Sequence, residues 1–184
     1  MKLTNKQLTK SSAAFLPLKY VSEAITNDET RYYLNGVYYL PAINTIVASN
    51  GKRLHIAKKV DLSQFIELDE SELDDKGGVV LRVKVSAKEI SFNGVIDCKF
   101  PDYTKIIPAH TQNALVEFKS NDKDIGFSAG YHTISRLISD PINYKYIQSL
   151  FNACNEWRIF YGASSSACYF ESGDLSAVIM PFCS

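Results

Sequence analysis

The sequence predicts an α+β fold in which short helices pack on one face of curved antiparallel sheets. Runs of short segments rich in aromatic and β-branched residues indicate three antiparallel meanders. Two stretches with polar and apolar faces, one near the start of the chain and one near residue 145, indicate the helices. With 184 residues, 46% of them hydrophobic, the chain is long enough for one large domain or two small ones.

The first helix is predicted over residues 5–16, "NKQLTKSSAAFL", after a short strand at "KLT". Thr4 or Asn5 is the expected N-cap, because such side chains accept hydrogen bonds from free backbone N–H groups at a helix start. Lys6 and Lys10 lie four residues apart and therefore share one face of this helix. From periodicity alone, two exposed lysines indicate solubility and nothing more specific.

The first meander is predicted from "TRYYLNGVYYL", "NTIVAS" and "RLHIAK", and Asn50-Gly51 between the last two is a strong hairpin signal. The acidic residues 67–78 follow as "ELDESELDDKGG". They lack the mid-loop glycine of a calcium-binding EF-hand, so we expect a solvated loop or a single helical turn. The second meander is predicted as three strands, "VVLRVKVS", "KEISFNG" and "VIDCKF".

The second helix is predicted over "INYKYIQSLFNAC", with Asp140 as N-cap and Pro141 at the first helical position. Its apolar face carries Ile142, Tyr146, Ile147, Leu150, Phe151 and Cys154, and its polar face carries Lys145, Gln148 and Asn152. A third meander, "EWRIFYG", "SACYFES" and "SAVIMPF", completes the chain.

Several functional classes lack support in the sequence. No phosphate-binding glycine loop or nucleophile elbow is present, and no histidine falls in an acid/base motif, so we expect no catalytic residues and no enzyme activity. The four scattered cysteines lack metal-ligand spacing, so neither a metal site nor a cofactor is expected, and free thiols suit a reducing cytoplasm. No signal peptide or membrane span is expected. A net charge of zero argues against a uniformly basic nucleic-acid binder.

Four segments resemble the bacterial DNA polymerase III beta sliding clamp family. They are "RYYLNGVYY" (31–39), "ASNGKRLHIA" (48–57), "DCKFPDYTKIIP" (97–108) and "SAVIMPF" (176–182), in the family's order. The segment "INYKYIQSLFNACNEWRIFYG" is also similar to the last helix and following strand of the family's final domain. The resemblance implies a DNA-clamp-like fold.

The resemblance also implies a domain organisation. Residues 1–108 resemble the clamp's middle domain, and residues 109–184 resemble the end of its last domain in shortened form. The family's first domain has no counterpart here, and the acidic stretch replaces much of a helix. The chain therefore looks like a shortened clamp, and we expect a phage or mobile-element origin.

The resemblance implies a hydrophobic pocket for short linear peptides. The elbow segment, residues 100–108, would wall this pocket together with the hairpin and the C-terminal strand. Carried over position by position, the pocket residues are Leu34, Ser49, Gly51, Arg53, Leu54, Pro101, Lys105, Ile106, Ser164, Ser166, Val178, Ile179, Met180, Pro181 and Phe182. Asn50, Lys52 and Lys105 depart from the family's aspartate, histidine and arginine. Taken singly, Leu54, Ile106 and Ile179 are explained equally well by interdomain packing, whereas the whole set favours a pocket.

By this resemblance the chain is expected to be a DNA sliding clamp, a polymerase processivity factor in DNA replication that forms a homo-oligomeric ring around duplex DNA. The expected partners are double-stranded DNA bound without sequence preference, peptides of the DNA polymerase and the clamp loader, and further copies of the chain, with no membrane partner. Lys6, Lys10 and Lys145 are the expected DNA-facing cations, because such contacts go to phosphates. The alternative is a clamp-like interaction protein that forms no ring and acts as a decoy or modulator of a host clamp.

Overall fold

A computed structural model describes residues 2, 3, 8–108, 114–119, 128, 130–132, 134–136, 141–161 and 167–181. The described chain is an α+β fold dominated by antiparallel strands, as predicted. The strands are β1 (Lys2–Leu3), β2 (Leu8–Thr9), β3 (Val37–Leu40), β4 (Thr45–Ser49), β5 (Arg53–Ala57), β6 (Ile66–Glu67), β7 (Val79–Val85), β8 (Glu89–Ile96), β9 (Ala114–Lys119), β10 (Glu156–Tyr161), β11 (Cys168–Ser172) and β12 (Leu175–Ile179). Two α-helices are α1 (Phe15–Ser22) and α2 (Tyr144–Ala153), and residues 128, 130–132 and 134–136 are also helical.

The chain divides into two compact units. The first comprises Met1–Gly51 and His55–Pro101, and the second comprises Lys52–Leu54 and Asp102–Ser184. The unit boundary thus falls inside the elbow segment, and a three-residue piece of the hairpin belongs to the second unit. The predicted domain boundary at residue 108 comes from the resemblance to the domains of the clamp family, and it stays a prediction.

The first unit combines antiparallel strands with helix α1. Its strands follow the order β2-β8-β7-β3-β4-β5, with β1 and β6 forming a separate pair. Helix α1 buries Phe15, Leu18, Tyr20 and Val21, and it lies against β4, β7 and β8. The ring of Tyr20 stacks on buried His55 of β5 at 4.4 Å, and His55 Nδ1 lies 2.9 Å from the Tyr20 carbonyl oxygen. These contacts link α1 to strand β5.

The second unit also combines antiparallel strands with a helix. The buried and exposed residues of this helix lie on clearly separate faces. Its strands follow the order β12-β11-β10-β9, all antiparallel. Helix α2 buries Ile147, Ser149, Leu150 and Phe151, while Lys145, Gln148 and Asn152 are exposed, as the sequence predicts. Gly130 lets a neighbouring helical segment approach α2 closely, because a Cβ there would lie 2.4 Å from the Phe151 ring.

The prediction of a helix over residues 5–16 is wrong. Leu8 and Thr9 form strand β2, and the backbone N–H of Ser12 donates to the Thr9 carbonyl oxygen at 2.9 Å to close a turn. Helix α1 begins only at Phe15 and continues through Pro17. Proline is tolerated there because the first turn of a helix has no intrahelical partner for its N–H groups. Hydroxyl side chains that bond locally favoured the turn over an early helix.

The prediction that "TRYYLNGVYYL" is one strand is only partly correct. Glu29–Leu34 forms 3-10 turns kinked at Arg31, and the strand is confined to Val37–Leu40. The Asp28 carboxylate accepts hydrogen bonds from the Thr30 backbone N–H at 2.9 Å and from its hydroxyl at 2.6 Å. This capping starts a turn in a segment whose aromatic composition otherwise favours a strand.

The second meander has two strands where three are predicted. "VIDCKF" is not a separate strand, because Val95 and Ile96 continue β8 opposite Leu81 and Val80. The pairing register shifts between Leu81 and Val83, so β8 carries an extra residue there. Gly94, with φ of +116°, adopts the backbone conformation that such a bulge requires and L-residues avoid. The glycine therefore marks a bulge and not a turn.

The start of the second helix also differs from its prediction. Helix α2 begins at Tyr144, and its N-cap is Asn143, whose side chain accepts a hydrogen bond from the Lys145 backbone N–H at 3.0 Å. The predicted N-cap, Asp140, lies outside the described residues, and Pro141 precedes the helix. The acidic stretch forms a single capped 3-10 turn at Glu70–Glu72, as expected. In the part of the chain that the structure describes, no helix is long and apolar enough to cross a membrane.

Candidate functional site

The elbow segment has one anchored end in each unit. Phe100 is buried in the first unit, where its ring stacks on Tyr38 at 4.8 Å, and the Tyr38 hydroxyl donates to Asp74 Oδ2 at 2.9 Å. In the second unit, Asp102 caps the 3-10 turn Tyr103–Ile106 by accepting a hydrogen bond from the Thr104 backbone N–H at 3.3 Å, and it also accepts one from the Thr104 hydroxyl at 2.7 Å. The segment is therefore ordered by aromatic packing before Pro101 and by capping after it.

The hairpin piece Lys52–Leu54 is bound to the end of β12 within the second unit. The Met180 backbone N–H donates to the Lys52 carbonyl oxygen at 2.9 Å. Leu54 is buried with 1% of its surface exposed, whereas the Met180 side chain is 42% exposed. A flexible thioether thus lies at the surface directly beside a fixed strand, an arrangement that suits adaptable apolar contact.

Arg53 in the same piece is held by helix α2. Its guanidinium carbon lies 4.6 Å from the centre of the Tyr146 ring, and its Nη1 donates to Ser149 Oγ at 3.2 Å. The Ser149 hydroxyl donates to the Tyr146 carbonyl oxygen at 2.6 Å. We call Lys52, Arg53, Tyr146, Ser149 and Met180 the Arg53 platform. It combines a fixed cation, an aromatic face and an exposed thioether in one unit.

The other predicted pocket residues of the second unit fall into two groups. Val178, Ile179 and Pro181 are buried, so they support the surface without presenting much of their own side chains. Lys105 and Ile106 are exposed, Ile106 with 47% of its surface accessible. Single exposed apolar side chains are common on protein surfaces, so exposure alone does not assign either residue a partner.

The predicted pocket residues of the first unit are Leu34, Ser49, Gly51 and Pro101. Leu34 and Ser49 are buried, while Gly51 and Pro101 are exposed. Ser49 Oγ accepts a hydrogen bond from the Gly51 backbone N–H at 3.1 Å, which fixes the hairpin tip.

Gly51 does not face open space. A Cβ added there would lie 2.6 Å from Nη1 of Arg31, and its φ of +83° is one that L-residues rarely adopt. The volume that the missing side chain leaves is therefore filled by a guanidinium in this structure.

The structure describes two of the three lysines that are expected to face DNA. Lys10 is exposed in the turn after β2 and not on a helix, so its predicted helical placement is wrong, and Lys145 is exposed in the first turn of α2. Sequence reasoning missed Lys19, the exposed lysine on α1, because the predicted helix ended before it. Four predicted site residues, Lys6, Ser164, Ser166 and Phe182, lie outside the described residues.

Sequence reasoning also missed Ser149 as a site residue and assigned Tyr146 only to the apolar face of the helix. Ser149 is buried with 3% of its surface exposed, although it occupies a helix position between apolar residues. A buried serine on an otherwise apolar face is the available signal, because a buried hydroxyl requires a hydrogen-bond partner. The partner itself, Arg53, is 96 residues away in sequence and could not be inferred from spacing.

The described antiparallel strands and helices have the fold of solved DNA clamp structures. Among solved structures, the chain matches the DNA polymerase III subunit beta from Pseudomonas aeruginosa with a TM-score of 0.60, covering 100% of this chain and 68% of that one at 16% identity. It also matches the Helicobacter pylori beta clamp bound to a DNA ligase peptide, with a TM-score of 0.60, covering 100% of this chain and 68% of that one at 15% identity. Both likenesses establish the fold.

The sequence comparison agrees with the fold. The chain is 29% identical to the beta sliding clamp of Caulobacter vibrioides over 128 aligned positions, which cover 54% of this chain and 33% of the relative. No protein-family model matches the chain. The chain spans about a third of the length of the curated relatives it matches. The resemblance to the bacterial DNA polymerase III beta sliding clamp family is thus confirmed in sequence and in fold.

Proposed function

We propose that this chain is a non-enzymatic sliding clamp that serves as a processivity factor on double-stranded DNA. The single observation that carries the proposal is the clamp fold, which extends over the whole chain in the match to the Pseudomonas aeruginosa polymerase subunit. The first unit would correspond to the middle domain of a clamp, and the second to a shortened last domain. The four sequence segments shared with the family supply independent support.

The proposed DNA contacts come from exposed lysines on helices. Lys19 on α1 and Lys145 on α2 are exposed cations on the helices of the two units. A clamp has no need to read bases, so phosphate attraction from such side chains is sufficient. Changing both lysines to glutamate is expected to weaken DNA association on any sequence, with a difference from wild type that shrinks as salt rises.

Encirclement of DNA requires several copies of this chain. We propose a homo-oligomeric ring with cyclic symmetry, in which strand edges of neighbouring copies pair and are thereby protected from other association. Light scattering on the purified chain tests this at micromolar concentration. A single species of multimeric mass is expected, and a monomer at all concentrations would overturn the ring and favour the clamp-like decoy.

We further propose that the Arg53 platform binds short peptides with apolar and aromatic anchors, such as those of polymerases and clamp loaders. The exposed Met180 thioether can adapt to an anchor, while the buried Leu54, Val178 and Ile179 keep the surface beneath it rigid. The Helicobacter pylori clamp, whose fold this chain shares, is bound to a DNA ligase peptide. Titration of that labelled peptide against wild type and Met180→Asp is the test, and only wild type is expected to bind.

A further inference from the structure

The Arg53 side chain makes two contacts with helix α2. Its guanidinium lies on the Tyr146 ring with 4.6 Å between the guanidinium carbon and the ring centre, and Nη1 donates to Ser149 Oγ at 3.2 Å. An arginine that is free to rotate loses considerable entropy when a ligand orders it. An arginine that is already ordered by the protein avoids that loss.

The Ser149 hydroxyl has one possible orientation in this arrangement. A hydroxyl has a single O–H, and the Tyr146 carbonyl oxygen, 2.6 Å away, can only accept it. The Ser149 lone pairs therefore point away from that bond and receive the Arg53 N–H. Because Ser149 is only 3% exposed, water competes poorly for either bond.

The same contacts connect helix α2 to the surface where the peptide is proposed to bind. Arg53 directly follows Lys52, whose carbonyl oxygen accepts the Met180 N–H at 2.9 Å. The end of β12, the start of β5 and one face of α2 are thus joined by a short series of hydrogen bonds and one cation–π contact.

We infer that Ser149 is a positioning residue of the peptide site, which holds the Arg53 guanidinium over the Tyr146 ring so that the platform is preorganised for a peptide. The inference rests on the proposed peptide-binding function. Ser149 itself touches no peptide, because it is buried on the helix and acts through Arg53. Its hydroxyl therefore affects affinity only while the arginine is present.

A double-mutant cycle on the full chain tests this inference. The probe is a labelled short peptide with a leucine and a phenylalanine anchor, and the DNA ligase peptide of the Helicobacter pylori complex serves as a second probe. Ser149→Ala is expected to weaken binding about three- to tenfold, the range for ordering one rotamer-rich side chain at an interface. In an Arg53→Ala background, Ser149→Ala is expected to change affinity no further.

Ser176→Ala is the matched control, because Ser176 is a buried serine of the same unit on β12. It deletes a buried hydroxyl without removing the bond to Arg53, so peptide affinity should equal that of wild type. Urea unfolding of each variant establishes that it is folded. If Ser149→Ala does not fold, Ser149→Cys, which replaces the hydroxyl with a weak donor and acceptor, enters the same cycle with Arg53→Ala.

The outcomes separate the inference from the function on which it rests. An equal loss of affinity from Ser149→Ala in both backgrounds, or no loss in either, overturns the positioning role. Binding by wild type that Met180→Asp abolishes keeps the proposed peptide site in either case. Absence of binding by wild type to both probes overturns the peptide site itself before any cycle is measured.

Discussion

Two arginines, Arg31 in the first unit and Arg53 in the second, differ in how the protein holds them. Arg31 lies beside Gly51, its Nε is 3.8 Å from Asp28 Oδ2, and about half of its side chain is exposed. Arg53 is partly buried, stacked on Tyr146 and bonded to Ser149. One guanidinium is held by a solvent-screened charge, the other by an aromatic face and a buried hydroxyl.

The difference shows which of the two guanidinium groups is held firmly enough to form a fixed part of the proposed site. Exposed ion pairs contribute little because solvent screens them and long side chains lose entropy when they pair. A partly desolvated guanidinium with a cation–π contact and a hydrogen bond is more strongly held. We therefore expect Arg53 to shape the proposed site, and Arg31 to move readily from its position beside Gly51.

The largest expected contrast is in stability. Arg53→Ala should lower the free energy of unfolding by about 2 kcal/mol, because it removes a charge-assisted hydrogen bond, a cation–π contact and the packing of the side-chain stem. Arg31→Ala should lower it by less than about 0.5 kcal/mol. Urea unfolding of both variants in one buffer measures the contrast, and equal losses would show that the two arginines are held alike.

A second contrast concerns Gly51, whose φ of +83° is expected not to depend on the arginine beside it. Gly51→Ala should cost about 1–2 kcal/mol, because an L-residue is strained at φ of +83°. The contact with Arg31 adds little, since its Nη1 is the end of a flexible side chain and can move away. Gly51→Ala should therefore cost the same in an Arg31→Ala background. A cost that disappears in this background would show that Arg31 is rigidly held.

A third prediction separates the ring of Tyr146 from its hydroxyl. Tyr146→Phe keeps the aromatic face under Arg53 and should bind the probe peptide like wild type, whereas Tyr146→Leu should lose about 1 kcal/mol of binding free energy. The two variants are matched, since each removes the hydroxyl and only one removes the ring. Fluorescence titration measures both affinities. Equal losses would mean that the ring does not position the arginine.

The smallest expected effect is the pH response around Arg31. Hydrogen bonds from Thr30, with a lesser contribution from Arg31, hold the pKa of the Asp28 carboxyl below its ordinary value. A carboxyl whose pKa is lower in the folded state contributes stability above its unfolded pKa and loses it as the pH falls through the folded pKa. Asp28→Asn should therefore be slightly less stable than wild type at neutral pH, and the difference should vanish in acid. Urea unfolding at both pH values measures it, and a difference that persists in acid would contradict this origin.

The sequence allows most of the strands to be predicted, because aromatic and β-branched runs stand between clear turn residues. Asn50-Gly51 correctly predicts the turn before β5. The helical spacing of apolar residues in α2 correctly predicts which of its polar residues are exposed. The errors arise where a local hydrogen bond overrides composition. Thr9 and Ser12 form a turn in place of an early helix, and Asp28 caps a 3-10 turn in a run rich in tyrosine.

Less of the candidate site than of the fold could be predicted from the sequence. The family resemblance points to Arg53 and Met180, because both stand in short segments with a distinctive residue order. It does not show that Arg53 is held by Ser149, since that bond depends on how a helix meets a strand in three dimensions. Nor does it show that Arg31 fills the space beside Gly51, because the kink at Arg31 lies in a segment predicted as a strand.

The central proposal, that this clamp-fold chain encircles DNA, is tested most directly by its retention on DNA of different topology. Protein incubated with a nicked circular plasmid is passed through a sizing column in high salt, before and after the plasmid is cut once by a restriction enzyme. High salt removes phosphate-bound protein from either DNA, whereas a topological link does not depend on charge. We predict that the protein stays with the circular plasmid and is released when the plasmid is cut. Equal retention on circular and linear DNA would contradict encirclement.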